Sequence, residues 1–187
     1  MDSLEEEVRQ LEHTLAQYPP HTVVFYGSST VRLWTRLAQA FPQVQVLNAG
    51  FGGSTLEACG WYFERLIVPA QPRAVILYAG DNDLGNDRKP EEVYLFFCAL
   101  ADKMQRHLPN VPLIYVSIKP SPARWAIITQ IRAANTFIAA EISRLPNTTF
   151  IDLTDAMLTP DGQPRPDLFE VDGLHLNPVG YALWQKL

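Results

Sequence analysis

Five short apolar runs, separated by longer stretches of helical period, narrow what this 187-residue chain can become. The runs cover 22–26, 44–47, 74–78, 113–116 and 149–153. They are rich in Val, Ile, Phe and Tyr, and several are apolar at almost every position, as strands covered on both faces are. Between them the period becomes helical over 30–40, 54–68, 91–108 and 123–145. An N-terminal segment, 1–18, carries Leu4, Val8, Leu11 and Leu15 on one stripe, and a last helix is expected from Pro178 with Asn177 as its cap. Pro69, Pro72, Pro109, Pro112 and Pro146 fall at helix ends. Strand–helix alternation predicts a parallel sheet with right-handed crossovers and helices on both faces. The expectation is one three-layer α/β domain over 1–187, with the N-terminal helix packed on it.

In such a sheet ligands bind beyond the carboxyl ends of the strands, so the residues at those ends matter most. Gly27-Ser28-Ser29-Thr30 follows the first run and Asn48-Ala49-Gly50-Phe51-Gly52-Gly53-Ser54 the second. Gly80-Asp81-Asn82-Asp83 follows the third, and Asp172-Gly173-Leu174-His175 precedes the last helix. A serine opening a helix lies beside N–H groups that point at anionic oxygen. Glycines let backbone amides approach a ligand closely. Serine, histidine, aspartate, an asparagine amide and free backbone donors are the parts acyl transfer requires. Each has a plainer role when taken singly. Ser28, Ser29 and Thr30 are good helix caps, and the glycines, Asn82 and Asp172 are good turn residues. His175 taken singly is an ordinary polar histidine. Their shared position at strand ends is what lifts them above those roles.

The four blocks, in this order and spacing, resemble the SGNH hydrolases, also called the GDSL esterase/lipase family. The resemblance implies a flavodoxin-like α/β/α sandwich on a five-stranded parallel sheet. It implies Ser29 as nucleophile, with His175 as base and Asp172 orienting it. It also implies an oxyanion hole of the Ser29 N–H, the Gly53 N–H and the Asn82 amide. Ser28 stands where many members have Asp, which leaves two adjacent serines; the offset of two from Gly27 selects Ser29. The Gly-x-Ser-x-Gly elbow of the other common serine-hydrolase fold is missing, because Val31 stands two residues after Ser29.

These features predict hydrolysis of carboxylic esters through an acyl-serine, with short acyl chains and carbohydrate acetyl groups among the substrates. A lysophospholipase or thioesterase on the same residues is a second reading. A non-catalytic flavodoxin-like module holding a phosphate is a third, disfavoured by the absence of a Gly-x-x-x-x-Gly-Lys loop. Trp34, Phe51 and Trp125 are candidates for the substrate pocket. The expected partner is a small-molecule ester. A formal charge of −5 without a Lys/Arg run disfavours nucleic acid and anionic membranes. The apolar runs are too short for stable membrane insertion. Cys59 and Cys98 lack metal-ligand spacing. Asp81, Asp83, Asp87 and Glu92 approximate a calcium loop, but Asn86 occupies the glycine position and Pro90 interrupts it. No metal or cofactor is therefore expected. The acidic N-terminus has no signal-peptide pattern, which makes a cytoplasmic location the expectation. Monomer and homodimer both remain open.

Overall fold

A computed structural model describes residues 2–186. Five strands, β1 (Val23–Gly27), β2 (Val46–Gly50), β3 (Ala74–Tyr78), β4 (Leu113–Val116) and β5 (Thr148–Ile151), form one sheet in the order β2-β1-β3-β4-β5. Every pairing is parallel. The chain moves from β1 to β2 on one side and then returns to place β3 on the other. The order of connection therefore reverses around β1, and a cleft opens at the carboxyl ends there.

Helices cover both faces because successive strand residues point to opposite sides. Val24, Tyr26, Leu47, Ala49, Val75 and Leu77 face a core shared with α1 (Asp2–Leu15), α4 (Leu56–Leu66), α6 (Pro90–His107) and α7 (Ile128–Ile142). Phe25, Val46, Tyr78 and Val116 face a second core closed by α2 (Ser29–Arg32), α3 (Leu37–Ala40) and α8 (Pro178–Trp184). This is the three-layer arrangement the alternating sequence predicts. The stripe of α1 docks on the first core through Val8 and Leu15, with Leu4 and Leu11 half-buried beside them. Arg65 of α4 fixes the helix from outside, donating to Glu5 at 3.0 and 2.9 Å and to Glu12 at 2.7 and 3.0 Å.

Two local differences from the sequence expectation shape the cleft. The stretch 30–40 is not one helix but α2 and α3. Helix α2 rests on the end of β2 so closely that a Cβ at Gly50 would stand 2.3 Å from Arg32 N. After it the chain leaves the helical path, and Trp34 turns into the second core against Phe25, with ring centroids 5.8 Å apart, and Tyr181, at 5.1 Å. The other difference is α5 (Asp81–Gly85), a short helix where the sequence reads as a turn. Gly80, at φ 114°, lets the chain pass from β3 directly into it.

The strands also run into their glycines. Gly27 is the last residue of β1 and pairs with Gly50 on one side and Tyr78 on the other. A Cβ at Gly27 would lie 1.9 Å from the Tyr78 carbonyl oxygen, and its φ of 140° is one that L side chains rarely adopt. Gly27→Ala should therefore destabilise the fold by more than about 2 kcal/mol. A urea midpoint matching that of the unsubstituted chain would contradict this close approach.

Candidate active site

At the end of β1 the chain turns into α2, and Ser29 is the first helical residue. The adjacent Ser28 is buried, and its side chain makes no capping bond to α2. Thr30 is also buried and accepts a hydrogen bond from Lys119 Nζ at 3.3 Å. Of these three hydroxyls it is Ser29 Oγ that reaches the histidine, lying 3.0 Å from His175 Nε2 across 146 residues of sequence.

The histidine is held by a self-contained turn. Asp172 Oδ1 accepts the N–H groups of Leu174 at 2.8 Å and His175 at 2.9 Å, while Oδ2 lies 2.6 Å from His175 Nδ1. Gly173, at φ 66°, makes the reversal, and Glu170 N–H donates to the His175 carbonyl at 2.8 Å. A neutral imidazole therefore carries its proton on Nδ1 toward the carboxylate and leaves Nε2 to accept from the Ser29 hydroxyl. The His175 side chain holds the Asp172 carboxyl below its ordinary range, at about 2, with the two backbone N–H groups adding to the effect.

Beneath this turn α8 is capped as the sequence suggests. Asn177 accepts the N–H groups of Val179 at 2.9 Å and Gly180 at 3.0 Å, with Pro178 in the first turn. Tyr181 of the same helix donates its hydroxyl to the Thr30 carbonyl at 2.9 Å, tying α8 to the serine turn.

The glycines differ in where their backbone donors go. Gly50 N–H donates to Asn48 Oδ1 at 3.0 Å, and Phe51 N–H to the Gly27 carbonyl at 2.9 Å. Gly52 N–H donates to Glu7 Oε2 at 2.5 Å, and Ser54 N–H to the Phe51 carbonyl at 3.4 Å. Among the described residues, Gly53 N–H has no such acceptor. Ser29 N–H is likewise unspent, as the first donor of a helix is. Asn82 donates one amide hydrogen to the Ser54 carbonyl at 3.0 Å, which fixes the group and leaves its other hydrogen available. The residues that could donate to an oxyanion thus still hold free hydrogens.

Sequence reasoning had no signal for the polar cluster behind this site. Lys119 is buried, and its Nζ donates to Asp81 Oδ2 at 2.8 Å and to Tyr78 Oη at 3.1 Å, besides Thr30. Its four-carbon stem and charge read as surface, yet it joins the neighbours of Ser29 and Asn82. Asp83 is buried as well and caps α4, accepting Leu56 N–H at 2.7 Å, with its carboxyl pushed up by burial. Among the described residues no three His, Cys, Asp or Glu side chains cluster as metal ligands would.

The pocket candidates separate into three environments. Trp34 lines a groove of about 620 Å³ that runs between residues 33–40 and α8 and has His175 in its wall. Trp125 is half-buried in a 3-10 segment, Pro122–Ile127, whose Ala123 N–H donates to the Gly173 carbonyl at 3.0 Å, and it is not among the residues lining that groove. Phe51 is a correction. Its side chain is fully buried between Tyr26 and Tyr62, so it serves the core and offers no surface to a substrate.

The GDSL-like lipase/acylhydrolase family profile matches residues 10–183, and the chain belongs to that family. It is accordingly a hydrolase acting on ester bonds. Solved structures share the fold at low identity. A Streptococcus pneumonia protein, provisionally named as a platelet activating factor, is 20% identical, with 99% of this chain and 90% of that chain covered and a TM-score of 0.88. A GDSL-like lipase from Bacteroides thetaiotaomicron is 18% identical over 96% of this chain and 94% of that one, with a TM-score of 0.81. A family 3 carbohydrate esterase from Clostridium thermocellum is 19% identical over 90% and 94%, with a TM-score of 0.71. Among curated proteins no sequence relative matches significantly. No described helix is long and apolar enough to cross a membrane.

Because the Asp172 pKa is lowered from 3.8 to about 2, its ionised form favours the folded state above the ordinary carboxylate value. That contribution is lost progressively as pH falls from the ordinary carboxylate value through about 2. Above about pH 4 the acid limb of kcat/KM should therefore follow a single proton. A limb of slope two in that range would mean that Asp172 takes up a proton well above about 2.

Proposed function

We propose that the chain is a serine esterase that cleaves short-acyl esters through an acyl-serine on Ser29, and that its alcohol groups include carbohydrate hydroxyls. The observation that carries the reading is the 3.0 Å approach of His175 Nε2 to Ser29 Oγ, with Asp172 2.6 Å from the opposite ring nitrogen. A serine hydroxyl becomes an effective nucleophile only when a base removes its proton as it attacks. His175 takes that proton while Asp172 steadies the imidazolium. Ser29 Oγ bonds to the ester carbonyl carbon, and the carbonyl oxygen becomes an oxyanion. The free hydrogens of Ser29 N, Gly53 N and Asn82 Nδ2 receive it. The tetrahedral centre then collapses, and His175 gives the proton to the departing alcohol. Water repeats the sequence on the acyl-serine, releasing the acid and restoring Ser29.

The carbohydrate reading rests on the groove beside His175, where Arg36, Gln39, Glu170 and Gln185 offer polar groups beside the apolar walls of Leu33, Trp34, Leu176 and Pro178. Ring faces of a sugar pack on such apolar walls while its hydroxyls pair with the polar ones. The shared fold with a carbohydrate esterase is consistent with this. The preference for short acyl groups is part of the proposal and is tested by a series of p-nitrophenyl esters. Activity should peak at the shortest chains, and a maximum at long chains would overturn the preference.

Ser29→Ala should abolish covalent labelling by a fluorophosphonate probe, whereas Ser28→Ala should still label; the opposite pattern would move the nucleophile to Ser28. Asn82→Ala should lower kcat by about a hundredfold or more, the usual loss of roughly 3 kcal/mol for one oxyanion donor. A kcat within threefold of the unsubstituted chain would remove Asn82 from that role.

A further inference from the structure

The glycine loop after β2 is short of anchors. Gly50, Gly52 and Gly53 have no side chains to pack, and Gly53 sits at φ 66°. Three of the four spent N–H groups between residues 50 and 54 go to nearby residues of the same segment or to the end of β1. The fourth does not. Gly52 N–H, one peptide before Gly53, is held by a carboxylate from the N-terminal helix 45 residues away, Glu7 Oε2 at 2.5 Å. The other oxygen of the same carboxylate accepts from Arg32 Nη1 at 2.9 Å, and Arg32 belongs to α2, the helix that Ser29 opens. One carboxylate thus joins the loop bearing Gly53 to the helix bearing Ser29.

We propose that Glu7 is a positioning residue for ester hydrolysis, and that helix α1 forms part of the catalytic apparatus by setting the orientation of the Gly53 N–H. The inference rests on the reading of Gly53 as an oxyanion donor. Its physical basis is a charge-assisted hydrogen bond, stronger and more directional than a neutral one, applied to the peptide next to the donor. Arg32 serves a second purpose: its charge offsets a carboxylate that would otherwise oppose a developing oxyanion nearby. Helix α1 can bear this function because its docking does not depend on Glu7. Val8 is in the core, and Arg65 holds Glu5 and Glu12.

The test compares Glu7→Ala, Glu7→Gln and Asn82→Ala in the full chain with p-nitrophenyl acetate, with kcat normalised to active sites titrated by the p-nitrophenolate burst. Glu7→Ala should lower kcat about tenfold while KM stays within about twofold, since a donor turned aside weakens the transition state and not the ester complex. Glu7→Gln should keep at least about a third of kcat, because its amide oxygen still accepts the Gly52 N–H. A boronic acid that forms a tetrahedral serine adduct should bind Glu7→Ala more weakly by a factor similar to the loss in kcat. The proposal fails if Glu7→Ala retains kcat within twofold while Asn82→Ala loses it, or if Glu7→Gln falls as far as Glu7→Ala. Full activity in Asn82→Ala would instead sink the oxyanion reading and this inference with it.

Discussion

The arrangement depends on how closely three strands approach one another at Gly27. A residue with a side chain cannot stand between Gly50 and the Tyr78 carbonyl, where a Cβ would lie 1.9 Å from that oxygen. With glycine there, the ladders of β2, β1 and β3 end level. The serine turn, the glycine loop and the Asn82 helix then leave the sheet at one edge. Parallel strands need this alignment, since all their carboxyl ends face the same side and a slip in register would scatter the loops.

Level strand ends bring the groups near one another, and polar anchoring orients them. Asn82 is fixed by the Ser54 carbonyl, His175 by the Asp172 turn, and α8 by Tyr181 on the Thr30 carbonyl. Behind them the buried Lys119 links Asp81, Tyr78 and Thr30, the neighbours of the asparagine and the serine. Breaking one partner of such a buried pair typically costs several kcal/mol, because the remaining charge is left without water. That cost makes the relative placement of β3 and α2 hard to relax. Ester hydrolysis gains from preorganisation of this kind, because groups fixed before the reaction need no rearrangement during it.

Much of this was legible in the sequence. Runs rich in β-branched and aromatic residues marked all five strands, and 74–78 and 113–116 coincide with β3 and β4. The other boundaries moved by one to three residues; at the ends of β1 and β2 this is because glycines that read as loop still pair. Helical period over 30–40 concealed the break at 33–36, where Trp34 leaves the helical path to pack against Phe25 and Tyr181. Phe51 was misplaced for a similar reason. It lies in the right loop, but neighbouring side chains on a turn can face opposite directions, and this one faces Tyr26 and Tyr62. Lys119 and Glu7 carried no signal, since charged residues ordinarily face solvent.

Fold class and family were legible in the order of residues alone: the alternation that demands a doubly covered parallel sheet, three motifs at strand ends carrying serine, glycine and asparagine, and an aspartate–histidine pair before the last helix. Tertiary structure decided what distance decides. It brought Ser29 within 3.0 Å of His175, left the Gly53 amide unspent where its neighbours were engaged, and carried Glu7 from the first helix onto the glycine loop. Periodicity and turn chemistry are local and survive in a linear string, whereas hydrogen bonds between residues far apart exist only once packing has fixed where each segment lies.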